Sequence, residues 1–108
     1  MARGLNRGDI HLCVFASPDK RRPVLILTRD SAIGHLSTVT VAPVTSTVRS
    51  VPSEVVLDVD DGLKTRWAVN LHNAVTIPQD RVGKRVASLT AERMLEVCSA
   101  LRFSLGCG

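Results

Sequence analysis

Two short polar segments contain the side chains best suited to chemistry on a charged substrate. Residues 17–22 are basic, and residues 45–49 combine hydroxyl groups with one Arg. Each segment borders an apolar run, so each is predicted at a strand end. If those strands are neighbours, Arg22 and Thr45 project at the same edge, where an Arg beside hydroxyls can grip a phosphate and stabilise developing charge. A basic turn and a Ser/Thr loop without chemistry fit the same residues.

Other candidates for chemistry are weaker. The three His residues show no spacing typical of metal ligands, although a His pair acting as acid and base stays open: His11, His35 and His72. Residues 58–62 resemble part of a calcium loop, but Val69 stands where the closing Glu is needed. A lone Trp beside a strand, such as Trp67, packs more often than it stacks on a base. No metal site is predicted.

The cysteines indicate a reducing compartment. Cys13, Cys98 and Cys107 make an odd number without C-x-x-C spacing, which argues against a zinc site and against a disulfide scaffold. Cys13 and Cys98 are predicted to be small buried hydrophobes. No apolar run resembles a signal peptide or reaches membrane-spanning length, so we expect a cytoplasmic protein without a membrane partner.

Size and charge restrict the possible classes further. The chain has 108 residues, so residues 1–108 are predicted to form a single domain. The formal net charge is +4, and all but three of the fourteen basic residues are Arg. Arg matches the geometry of phosphate groups, which favours a nucleic-acid partner. A solvated basic surface explains this modest charge almost as well.

The hydrophobic pattern predicts a mainly β fold with one helix at the end. Strands are predicted at residues 8–14, 24–27, 38–41, 54–57, 68–71, 75–77 and 82–87, with loops at 29–37 and 45–50. Pro43 is expected to limit how centrally its strand can lie. A helix is predicted between the cap Thr90 and Gly106, with an apolar stripe of Met94, Val97, Cys98, Leu101 and Leu105. Closing the short strands into a barrel would protect their edges.

The order of these segments resembles the MazF/PemK family of toxin endoribonucleases. Four stretches carry the resemblance: RGDI at 7–10, RPVLIL at 22–27, VAPVTST at 41–47 and PSEVVL at 52–57. AVNL at 68–71, the Thr-Ile step at 76–77 and the closing helix agree as well. The likeness therefore covers nearly the whole chain.

The resemblance implies a fold, a reaction and a catalytic pair. The fold would be an SH3-like small barrel of the PemK/Kid/CcdB type with a C-terminal helix, working as a homodimer. Members cut single-stranded RNA at short motifs by attack of a ribose 2′-hydroxyl, without a metal or another cofactor. The family's catalytic Arg falls on Arg22, as acid or oxyanion clamp, and its catalytic Thr falls on Thr45.

The resemblance also implies contacts with RNA and with a protein. The residues expected to bind RNA flank the catalytic pair or follow the late strand: Ser17, Lys20, Arg21, Ser46, Thr47, Arg49 and Asn73. A cognate antitoxin is expected to lay an acidic, partly disordered segment across the basic groove.

The chain departs from the family pattern at two places. The loop at residues 16–21 is short and lacks a Gly-Ser-Glu-Gln motif, and His72-Asn73 replaces an acidic-Gln pair. Two other functions therefore stay open. One is a toxin of the same fold that grips DNA gyrase, and the other is an inactive module that only binds RNA.

Overall fold

The computed structural model describes residues 4–14 and 21–107, so Ser17 and Lys20 lie outside the described residues. These described residues contain seven strands and two α-helices, besides three short 3₁₀ turns: β1 Asp9–Val14, β2 Arg21–Ile26, α1 Asp30–Ile33, β3 Thr38–Thr45, β4 Glu54–Leu57, β5 Trp67–Asn70, β6 Val75–Pro78, β7 Val82–Ser88 and α2 Ala91–Leu105. A mainly β fold with a C-terminal helix is thereby confirmed.

The strands pair antiparallel in one sheet with the order β4-β5-β3-β2-β1-β7. The first half of β3 pairs with β6, while the end of β3 pairs with β5. On its other side β3 pairs with β2. Closure of this sheet into an SH3-like barrel stays a prediction.

The expectation for Pro43 was wrong, because β3 continues through this residue and lies in the middle of the sheet. Pro43 is paired with Val24 of β2 on one side. On the other side it falls between the residues paired with β6, which end at Val41, and those paired with β5, which begin at Val44. Proline has no N–H to donate to a neighbouring strand. Because β3 changes its partner from β6 to β5 at this position, the missing N–H interrupts neither pairing, and a Pro in the middle of the sheet is tolerated.

The sheet is buried on both faces, as predicted for its central strand. Alternating residues of β2 enter two separate clusters, with Leu25 in one and Val24 and Ile26 in the other. All three are fully buried. Such two-sided burial explains why the strand reads as a continuous apolar run. It also makes β2 a rigid base for the polar residues at its start.

The C-terminal helix α2 packs on the first of these clusters through Val97 and Ala100. The hydroxyl of Thr90 caps it by accepting the N–H of Arg93 at 3.1 Å, and Gly106 ends it at a φ of 69°. Leu105, predicted as part of the apolar stripe, is exposed. No helix among residues 4–14 and 21–107 is long and apolar enough to span a membrane.

One further difference concerns the segment at residues 29–37, which was predicted to be a loop. It contains the short helix α1, whose Ile33 is buried in the second cluster. One turn of helix is too short to show a periodic pattern, which is why the sequence did not indicate it.

Candidate active site

The pairing of β2 with β3 brings Arg22 and Thr45 to the same level of the sheet. The observed register joins Val24 to Pro43 and Leu25 to Ala42. This pairing ends at Val24 and Pro43, so Arg22 and Thr45 each lie two residues beyond it, at the same edge of the sheet. The two polar segments, which are separate in sequence, therefore meet at one edge.

A cleft of about 430 Å³ opens at this edge. Residues from β2, from the end of β3 and from the start of β5 line it: Arg21, Arg22, Pro23, Val44, Thr45, Ser46 and Trp67. We refer to these residues as the cleft. Its polar groups are two guanidinium groups and two hydroxyls, which can all donate hydrogen bonds. Such a set suits an anionic ligand, because a planar guanidinium group can bind two oxygens of one phosphate at the same time.

The two Arg side chains of the cleft are available to a ligand. Arg21 and Arg22 are both exposed. Among the described residues, neither guanidinium group takes part in a hydrogen bond or an ion pair. By contrast, the guanidinium of Arg93 on α2 is bound by Asp61 at 2.9 Å. An anionic ligand could therefore bind these two guanidinium groups without first breaking an ion pair among the described residues.

Thr45 holds its hydroxyl in a defined place. It is the last residue of β3 and is paired with Ala68 of β5. Its Oγ1 accepts the N–H of Thr47 at 3.1 Å. That bond uses an oxygen lone pair, so the hydroxyl proton remains free to be donated to a ligand oxygen.

Trp67 forms one wall of the cleft. The sequence favoured a packing role for it, and its half-buried side chain does pack against the first core cluster. The same residue also lines the cleft. A flat indole at such a position can stack on a nucleobase. Packing and contact with a ligand are thus compatible at this residue.

The other predicted contact residues lie at different distances from the cleft. Ser46 lines it, whereas Thr47 and Arg49 are in the segment that follows and do not. Asn73 is exposed in the turn after β5, at the opposite end of that strand from Trp67. The structure does not bring Asn73 to the cleft of the same chain, and its contact with RNA stays a prediction.

His11, His72 and Cys13 lie outside the set of residues that line the cleft, whereas His35 is exposed in the segment between α1 and β3. His11 is buried and its Nδ1 donates to the carbonyl of Gly83 at 2.8 Å. His72 Nδ1 lies 2.6 Å from the hydroxyl of Ser53. Cys13 is paired with Arg22 across β1 and β2, but burial raises the pKa of its thiol and keeps it neutral.

Sequence reasoning missed the role of Glu54, which bonds to the segment that follows Thr45. Glu54 was treated only as the first residue of a strand, yet its buried carboxylate accepts the N–H groups of Arg49 and Ser50 at 2.9 and 3.0 Å. A Glu directly before the apolar Val55-Val56-Leu57 run was the available signal, since a charged residue on a buried strand needs partners.

Residues 6–105 match the family described as PemK-like, MazF-like toxin of type II toxin–antitoxin system. The chain is 42% identical over 87 residues to endoribonuclease MazF3 of Mycobacterium tuberculosis, covering 81% of this chain and 84% of that protein. It is 38% identical over 102 residues to the probable endoribonuclease MazF5 of the same species, covering 94% and 93%.

Solved structures agree with this match. The Mycobacterium tuberculosis toxin MazF-mt6 superimposes with a TM-score of 0.84 at 37% identity, covering 93% of this chain and 98% of that one. An endoribonuclease from a mycobacterial species, solved in complex with its cognate antitoxin, gives a TM-score of 0.86 at 26% identity, covering 97% and 98%. The chain therefore belongs to the family of PemK-like, MazF-like toxins of type II toxin–antitoxin systems.

Proposed function

We propose that this protein is a toxin endoribonuclease that cleaves single-stranded RNA at short sequence motifs without a metal ion. The observation that carries the proposal is the meeting of Arg22 and Thr45 in one cleft, where the guanidinium has no partner among the described residues. The names of the relatives support the same reaction class.

The reaction would begin with attack of a ribose 2′-oxygen on the adjacent phosphorus. The bond from phosphorus to the 5′-oxygen then breaks, which leaves a 2′,3′-cyclic phosphate on one fragment and a 5′-hydroxyl on the other. The proton of the 2′-hydroxyl passes to water, and the leaving 5′-oxygen takes a proton from water. Negative charge grows on the two non-bridging oxygens during attack. Arg22 would bind these oxygens through two N–H groups, and the hydroxyl of Thr45 would donate a third hydrogen bond.

Arg22 serves better as a clamp than as an acid in this scheme. An Arg side chain keeps its proton throughout the usual pH range, so it contributes fixed charge and directed donors. None of the described residues that line the cleft is a carboxylate or an imidazole. The contribution of these side chains is therefore stabilisation of charge and alignment of the phosphate rather than removal of a proton.

The RNA strand would extend beyond the cleft into a second groove. This groove has a volume of about 250 Å³ and shares Arg21 with the cleft; its other residues are Leu12, Val14, Asp80, Arg81, Val82, Gly83 and Lys84. We refer to this set as the second groove. Arg21, Arg81 and Lys84 give it an excess of positive charge over Asp80. Neighbouring phosphates of one RNA strand could thus contact the cleft and the second groove at the same time.

The remaining predicted contacts complete the proposed substrate path. Ser46 and Trp67 would hold the nucleotide next to the scissile phosphate, while Thr47 and Arg49 would contact the strand beyond it. Ser17 and Lys20 belong to the segment between β1 and β2, which leads directly to Arg21. Asn73 would contact RNA from a different part of the assembly, as a homodimer allows.

The proposed partners are a second copy of the chain and an antitoxin, and the proposed location is the cytoplasm. One structural relative was solved in complex with its cognate antitoxin. A basic cleft of unengaged Arg groups is a suitable surface for an acidic, flexible antitoxin segment, which would compete with RNA for the same charges.

The proposal is tested by mapping cut ends on a long RNA in a buffer that contains a chelator. We expect cleavage at a short recurrent motif, with 5′-hydroxyl ends that ligate only after phosphorylation. RNA that is bound but left intact would favour the inactive binding module. In a parallel arm with DNA gyrase, inhibition of supercoiling without RNA cleavage would favour the gyrase-binding alternative and contradict the proposal.

A further inference from the structure

Glu54 is a buried carboxylate at the start of β4. The residue is 9% exposed, although Glu is rarely buried without strong partners. One carboxylate oxygen, Oε1, accepts two backbone N–H groups, from Arg49 at 2.9 Å and from Ser50 at 3.0 Å. A single acceptor oxygen at this reach thus satisfies both N–H groups. Glu54 therefore anchors the backbone just before its own strand.

The segment anchored in this way begins at the cleft. Residues 46–50 connect Thr45 to the approach to β4, and they are held at both ends by side-chain acceptors. At the first end the hydroxyl of Thr45 accepts the N–H of Thr47. At the second end Glu54 holds Arg49 and Ser50, the latter with a φ of 56°. Because an L-residue rarely adopts such a φ, the two bonds fix a backbone that would otherwise relax.

Strand register places Glu54 on the same face of the sheet as Thr45. Ala68 of β5 is paired with Thr45 on one side and with Val56 on the other. Glu54 and its partner Asn70 lie two residues further along their strands. Side chains two residues apart point to the same face. The anchor and the hydroxyl of Thr45 thus share one surface.

Glu54 and its strand partner Asn70 are both buried, and not all of their polar side-chain atoms are hydrogen-bonded. Asn70 is 6% exposed, and neither its Oδ1 nor Oε2 of Glu54 has a hydrogen-bond partner among the described residues. Two apolar residues would fill these positions at lower desolvation cost. Keeping a polar side chain of this length at position 54 is therefore explained by the two backbone N–H groups, of residues 49 and 50, that Oε1 accepts.

We propose that Glu54 is a positioning residue for RNA cleavage, which holds residues 46–50 so that Thr45 and Ser46 face the bound phosphate. The inference rests on the proposed endoribonuclease function. Glu54 does not line the cleft and acts through the backbone. Its loss lowers kcat by about tenfold or more, since small misplacement of reacting groups is expensive, while KM changes much less.

The test compares three variants in single-turnover cleavage. Glu54→Ala removes the acceptor, Glu54→Asp retracts it, and Glu54→Gln keeps an acceptor oxygen at the same reach without the charge. We expect the rate to fall in Glu54→Ala and Glu54→Asp, and to stay within about twofold of the wild-type rate in Glu54→Gln. Glu92→Ala removes an exposed carboxylate from α2 and serves as the control.

Backbone amide exchange gives an independent measurement on the same proteins. In Glu54→Ala the amides of Arg49 and Ser50 should exchange faster, whereas those of β2 should not change. A full cleavage rate in Glu54→Asp together with faster exchange would overturn the proposal. So would a loss of rate in Glu54→Gln together with a full rate in Glu54→Asp, because that result assigns the effect to the charge and not to the reach of the acceptor oxygen. If Glu54→Ala does not fold, the other two variants still decide between these outcomes.

If the wild-type protein cleaves no RNA, the proposed function is wrong, whatever the variants do. If the wild-type protein cleaves RNA and Glu54→Asp cleaves equally fast, only the positioning role of Glu54 is wrong.

Discussion

Polar side chains in the cleft face solvent, whereas the amide group of Gln79 is bonded to backbone carbonyls inside the protein. Gln79 is 4% exposed, and its Nε2 contacts three carbonyl oxygens at 2.9, 2.9 and 3.1 Å: those of Ile33, Leu36 and Thr38. These bonds tie the turn before β7 to the connection between α1 and β3. We refer to Gln79 and these carbonyls as the Gln79 region.

The difference shows how one chain uses polar groups for two purposes. In the Gln79 region the donors meet acceptors of the protein itself, so the groups stabilise the fold. In the cleft, Arg21 and Arg22 have no such acceptors among the described residues, so their hydrogen-bonding capacity is available to a ligand. A mutation in the cleft should therefore change activity, and a mutation in the Gln79 region should change stability.

The largest expected effect follows from removing the clamp. Arg22→Ala should lower the cleavage rate by about 10²–10³-fold, the range seen when one donor to a developing oxyanion is lost. The midpoint of thermal unfolding should stay nearly constant, since the guanidinium is exposed and has no partner among the described residues. Single-turnover cleavage and a thermal scan measure both quantities.

Arg29→Ala is the matched control for this variant. Arg29 is also exposed, and it lies just beyond the opposite end of β2. Its replacement should leave cleavage unchanged. Cleavage by Arg22→Ala at the rate of the control would contradict the assignment of Arg22.

The second prediction concerns the Gln79 region, where a mutation should change stability and leave activity unchanged. Gln79→Leu should destabilise the protein by about 3 kcal/mol, because buried carbonyls lose their donor. At a temperature where the variant is fully folded, its cleavage rate should match that of the wild type. Urea unfolding and single-turnover cleavage would check this. A Gln79→Leu variant that is as stable as the wild type but cleaves RNA slowly would contradict the different purposes assigned to the cleft and the Gln79 region.

The smallest effect is expected in the second groove. Lys84→Gln should raise KM a few-fold with kcat unchanged, because one phosphate contact is lost from binding alone. The slope of log affinity against log salt should decrease by about 0.7, the value for one contact with a single strand. Arg29→Gln is the charge-matched control. An equal change of salt slope in both variants would show that the groove is not part of the substrate path.

Most of the fold could be predicted from local patterns. The strands β1, β2 and β4 show alternating or continuous apolar residues, and α2 shows a cap, an apolar stripe and a terminal Gly. These signals depend on neighbouring residues, which is why they can be read from a sequence. The continuation of β3 through Pro43 could not, since it depends on where β3 changes from β6 to β5.

The candidate site shows the same limit. Arg22 and Thr45 were predicted together because each borders an apolar strand and because the family resemblance covers both. The roles of Gln79 and Glu54 were not predicted. Each bonds to backbone groups that the sequence does not reveal as partners, and in the case of Gln79 these are more than forty residues away. Contacts of that kind are fixed by tertiary structure.

The central claim is that Arg22 and Thr45 act on the same phosphate, and a double-mutant cycle tests it most directly. Single-turnover cleavage is measured for wild type, Arg22→Ala, Thr45→Val and the double variant, with Thr45→Ser as the control that keeps the hydroxyl. We predict that the double variant cleaves within about threefold of Arg22→Ala alone, because groups that act as a unit are not additive. Losses that multiply in full would show that the two side chains act independently, and would contradict the account.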